Sequence, residues 1–136
     1  MPYVKNQMNL KIAEITLHFQ QTVGRLMSQY PKETTRFMGS DNSIPSLPQL
    51  RILNASPTLV NCEEDLKLIS TIVYALHCLP KNEAEVLWFC NFQKNEKEEV
   101  LQGYSRAGFY RLLTSAMIDF LSIIDPISEK QYAKID

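Results

Sequence analysis

The side chains with recognition chemistry gather in one short stretch, Gly103-Tyr-Ser-Arg-Ala-Gly-Phe-Tyr-Arg-Leu-Leu113. Arg106 and Arg111 carry forked donors that match guanine edges or phosphate oxygens. Tyr110 offers a hydroxyl to phosphate and a ring to a thymine methyl, and Ala107 is small. Ser105 is a good helix N-cap, because its hydroxyl can satisfy an orphan N–H of the first turn. Arg106 stands in that first turn and is the better base reader. Arg111 lies about one and a half turns further on and suits the sugar-phosphate backbone. The competing reading is an ordinary core helix with a capped start and solvated arginines.

These residues need a helix with one buried face. Phe109, Leu112, Leu113, Ala116, Met117, Phe120, Leu121 and Ile124 supply its stripe, at i, i+3, i+4, i+7 spacing. Gly103 makes a tight turn before it and Tyr104 plugs that turn. The pattern is the turn and recognition helix of a helix-turn-helix, whose first helix falls roughly at Glu96 to Gln102. Gly108 costs about 1 kcal/mol against alanine inside a helix, which points to close backbone approach by DNA or by a partner helix. The helix is expected to end at Asp125-Pro126.

The remaining elements also read as helices. Residues 1–38 form an N-terminal helical segment with Ile12, Ile15, Phe19, Val23, Leu26, Met27 and Tyr30 on one face, interrupted before Pro31. Leu10 and Leu17 lie off that stripe, and five basic residues against two acidic ones make Met1 to Arg36 the basic part of the chain. Residues 39–60 read as a linker or loop lying on the body. Residues 61–125 form the helix-turn-helix domain, opened by two capping boxes, Asn61 with Glu64 and Asn82 with Glu85. The first helix buries Leu66, Ile69, Ile72 or Val73, Leu76 and Leu79 and stops at Pro80. The second carries Val86, Leu87, Phe89 and Cys90, and runs on through Trp88 to Phe92. Residues 126–136 are a polar tail. No strand pattern or repeat is present, so the fold class is all-α: an N-terminal amphipathic helix plus a C-terminal helical bundle.

Composition narrows the function. The chain has 136 residues, 45% hydrophobic and 21% charged, with a net charge of −1. That is enough to bury a core and argues against disorder. A stand-alone nucleic-acid binder is usually more basic. A DNA-reading surface here is therefore small and implies a homo-oligomer or a partner such as RNA polymerase. Cys62, Cys78 and Cys90 form no CxxC pair and read as reduced thiols. His18 and His77 have no ligand at metal spacing. No phosphate loop, nucleophile elbow or paired-carboxylate motif is present, so no enzyme, metal or cofactor is expected. The first residues lack a signal-peptide pattern and no segment approaches about 18 uninterrupted apolar residues. The expectation is a cytoplasmic protein with no membrane partner.

Ala75-Leu-His-Cys-Leu-Pro-Lys-Asn-Glu-Ala-Glu-Val-Leu-Trp-Phe-Cys-Asn-Phe92 resembles the opening of region 4 of bacterial sigma factors, and Tyr104-Ser-Arg-Ala-Gly-Phe-Tyr-Arg-Leu112 is similar to that family's recognition helix. Together with the extra N-terminal half, they resemble the ArpU-type transcriptional regulators of phages and prophages, akin to the RinA-type activators. The likeness spans residues 61 to 124. It implies a regulator of phage late or lysis genes that reads double-stranded DNA through Ser105, Arg106, Ala107, Tyr110 and Arg111. The alternative is a sigma-like module that binds RNA polymerase or a host factor through the acidic 94–99 segment and reads no bases.

Overall fold

In the computed structural model, residues 5–39, 42–93 and 103–135 are described, and the side chains of 7–39, 42–93 and 103–124 among them. The described elements are all helical: α1 (Lys5–Gln29), α2 (Pro31–Met38), α3 (Leu47–Asn54), a 3-10 turn (Pro57–Leu59), α4 (Glu63–Cys78), α5 (Lys81–Leu87), a π turn (Trp88–Phe92) and α6 (Arg106–Ile135). Among the described residues there is no strand, as the 3.6-residue periodicity requires.

One core serves the described residues. Met8, Ile12, Phe19 and Leu26 of α1 belong to the same buried cluster as Ile69, Val73 and Leu76 of α4, Leu87 of α5 and Phe109, Phe120 and Leu121 of α6. α1 packs on α2, α4, the π turn and α6, while α6 packs on α5, α4 and α1. Both Ile72 and Val73 are buried, and Leu66 is only partly so.

An aromatic cluster locks the centre. Phe92 meets Phe19 edge-on at 5.3 Å and Phe120 at 5.9 Å, and Trp88 stacks on Phe92 at 5.5 Å. Such pairs add about 0.5–1.5 kcal/mol each beyond area burial. The helix widens here to an i→i−5 bond, Gln93 N–H to Trp88 O at 2.8 Å, and the Gln20 amide donates to Phe92 O at 2.9 Å from α1. The sequence pattern predicts an uninterrupted helix over this stretch. The π turn replaces it where four aromatic rings must meet.

Four local expectations are corrected. The 39–60 segment is not a plain linker, since it contains α3, whose Leu50 and Leu53 are buried. Ser46 and Gln49 form a full capping box: Gln49 N–H donates to Ser46 Oγ at 3.2 Å and Ser46 N–H to Gln49 Oε1 at 2.7 Å. The Asn61–Glu64 box does not form. The 3-10 turn carries the backbone through Cys62, whose N–H donates to Leu59 O at 2.9 Å, so α4 is capped at Cys62 without a side-chain bond. Glu63, Glu64 and Asp65 fill its first turn instead, where the helix dipole favours carboxylates. The Asn82–Glu85 box is also absent: Leu79 is extended before Pro80, the helix starts at once, and Asn82 Oδ1 accepts the Glu83 N–H inside the first turn. Finally, α6 does not stop at Asp125. It continues through Pro126 to Ile135, because an interior proline removes one hydrogen bond and can kink a helix without ending it.

The break at Pro31 is as expected. Tyr30 takes φ −135° and ψ 67°, outside the helical region, and Pro31 opens α2.

Candidate nucleic-acid interface

The start of α6 is built by three local devices. Gly103 takes φ 89° and turns the chain, a conformation that favours glycine. The Ser105 hydroxyl accepts the Gly108 N–H at 3.1 Å, and Phe109 N–H donates to Ser105 O at 2.8 Å. Tyr104, just before the cap, packs on Phe109 four residues into the helix with ring centroids 6.5 Å apart. This is a hydrophobic staple, and it fixes the angle at which the chain enters the helix. Tyr104 is half exposed, so it lies across the turn instead of plugging it.

Phe109, Ala116, Phe120 and Leu121 are fully buried, with Leu113, Met117 and Ile124 nearly so. Leu112 alone in the expected stripe is only partly buried. Arg106, Ala107, Tyr110 and Arg111 are all exposed, on the side away from the core. The five expected site residues therefore stand together on the first two turns. Ser105 differs from the rest because its hydroxyl is engaged by the cap. Tyr110 stands edge-on to Phe109 at 5.4 Å. Arg111 Nε donates a long bond to Ala107 O at 3.5 Å, which draws its stem back along the helix. Arg106 makes no ion pair with a described residue.

The electrostatics of this end favour an anion. The first turn of α6 contains no acidic residue, so no carboxylate of that turn offsets the positive end of the helix dipole. A shallow concavity of about 430 Å³ runs along the same face from Ala107, Tyr110 and Arg111 to Thr114, Ser115 and Ile118. Thr114 and Ser115 escaped the sequence reading, although they lie three and four residues beyond Arg111 and so share its face. At the far end, Glu83 of α5 is held above the ordinary glutamate range, first by burial and then by Asp119 of α6, with the Ser115 hydroxyl partly offsetting both. The exposed strip thus begins with arginine and ends beside two carboxyl groups.

Gly108 has a local explanation. A Cβ there would stand 2.9 Å from Ser105 Oγ, so the glycine protects the cap; the expectation of close approach by DNA or a partner helix is not needed to explain it. The first helix of the motif, Glu96 to Gln102, and the acidic 94–99 segment lie outside the described residues.

Among the described residues no group of three or more His, Cys, Asp or Glu side chains could hold a metal ion. His77 has a structural bond, Nε2 to Pro45 O at 2.7 Å. The stretch Arg106–Ile124 is long and apolar enough to cross a membrane by length and composition, while its buried stripe faces the protein core.

Comparison with protein-family models, with curated proteins and with solved structures finds no match.

Proposed function

We propose that this chain is a sequence-specific DNA-binding transcriptional regulator, of the kind the ArpU-like resemblance implies, and that it reads DNA with the first turns of α6. The observation that carries the reading is the pairing of two faces on one helix start. Phe109 is wholly buried while Arg106, Ala107, Tyr110 and Arg111 are exposed beside it, on a first turn free of carboxylates. A helix entering a major groove uses its N-terminal residues on base edges. Arg106 takes that role, reaching guanine N7 and O6 in bidentate fashion. Arg111, drawn toward Ala107 O, and Tyr110 take phosphate.

With a net charge of −1, a single copy has little sequence-independent affinity at physiological salt. Binding by two copies, or beside RNA polymerase, follows from that balance. Expression control of phage late or lysis genes is the biological setting that the resemblance supplies.

The experiment is selection of duplexes from a random pool by the full-length protein. A regulator enriches a defined sequence, with a half-site repeat if two copies bind. Failure to enrich any sequence over several rounds at low salt contradicts the proposal.

A further inference from the structure

A cavity of about 550 Å³ opens between the 42–46 strap and the α4–α5 corner, on no part of the α6 face described above. Its floor is apolar: Leu76, Leu79, Ala84 and Phe89, the first three buried. One wall is the strap at Ser43 and Ile44. Two bonds pin that strap. Trp88 Nε1–H donates to Asn42 O at 2.8 Å. His77 Nε2 lies 2.7 Å from Pro45 O, and because a carbonyl only accepts, Nε2 is the protonated nitrogen. The wall is therefore held in place from both ends, and the size falls within the range of small-molecule sites, about 300–1,000 Å³.

The mouth carries two opposite charges. Lys81 and Glu85 both line it and stand one turn apart on α5, a spacing of about 5–6 Å between Cβ atoms. Among the described residues neither has an ion-pair partner, and they do not pair with each other. An apolar floor beneath a separated cation and anion matches a ligand with an apolar body and two opposite charges at similar spacing. We infer that this cavity binds a small zwitterion the size of an apolar dipeptide, its carboxylate on Lys81 and its ammonium on Glu85. Two extended residues span at most about 7 Å, comparable to the Cβ spacing of about 5–6 Å between residues one turn apart. α5 also packs on α6, so an occupant touches the element that supports the proposed reading helix.

The test uses the full chain, isotope-labelled for amide NMR, and four forms of leucyl-phenylalanine: free, N-acetylated, C-amidated and blocked at both ends. The free dipeptide should shift the amides around Leu76 to Phe89 saturably. Lys81→Ala should weaken the free and N-acetylated forms by about two- to fivefold, the scale of an exposed ion pair, and leave the amidated form unchanged. Glu85→Ala should weaken the free and amidated forms and spare the N-acetylated one. Both side chains are exposed, and the comparison of four ligands on the unmodified protein needs no variant at all. Equal binding of the doubly blocked peptide, or no shift by the free form at about 10 mM, which corresponds to under about 3 kcal/mol of affinity, would overturn the inference.

Discussion

The Ser105 hydroxyl accepts the Gly108 N–H at 3.1 Å, and a Cβ on residue 108 would stand 2.9 Å from that same oxygen. Cap and glycine are therefore one device. Ser105→Ala should cost about 1 kcal/mol. Gly108→Ala should be close to neutral, since about 1 kcal/mol of helix propensity offsets the strained cap. In the Ser105→Ala background, where the oxygen is gone, Gly108→Ala should stabilise by about 1 kcal/mol. Urea melts of the four proteins read this cycle, and strict additivity would disprove the coupling.

The stripe from Phe109 to Ile124 was legible because a helix with one buried face repeats every 3.6 residues, and the exposed Arg106, Ala107, Tyr110 and Arg111 follow from the same periodicity. α3 was hidden. Its Ser46-Leu-Pro-Gln49 capping box follows Pro45 and contains Pro48, and the crowd of turn formers outweighed four residues of cap signal. The π turn at Trp88–Phe92 was not legible either, since it answers to Phe19 and Phe120, which are distant in the chain. Pro126 misled for a related reason: a proline marks a probable boundary, and the helix runs through it.

α3 gives the second prediction. Ser46→Ala should lower stability by about 1 kcal/mol. It should also speed hydrogen exchange at Leu50 and Leu53, while α4 amides keep their protection. Equal protection in both proteins would mean that the box does not hold α3.

Thr22 is fully buried on α1, and its hydroxyl oxygen has no hydrogen-bond partner among the described residues. Removing an unsatisfied buried group of the same shape is neutral to favourable. Thr22→Val should raise stability by about 1 kcal/mol, or roughly 3 °C in Tm for a chain of this size. A loss of similar size would show that the hydroxyl is engaged.

Glu83 bears on pH dependence. Its folded-state pKa lies above the ordinary glutamate value, through burial and the neighbouring Asp119. The protonated form is thus favoured on folding, and stability present at low pH is lost as pH rises through the folded pKa. Glu83→Gln removes that loss. Its Tm should exceed that of the parent protein at pH 7, and the gap should close as pH falls below the usual glutamate range. A gap that is constant with pH would assign the effect to packing alone.

The central claim rests on Arg106, and one measurement reaches it most directly: fluorescence-anisotropy titration of Arg106→Ala and the parent protein against the selected duplex and a scrambled one, at matched salt. Loss of one bidentate base contact should cost about 1–3 kcal/mol on the selected duplex and much less on the scrambled one. Equal affinity of the two proteins for the selected duplex, with the helical fold intact by circular dichroism, would contradict base reading by this helix.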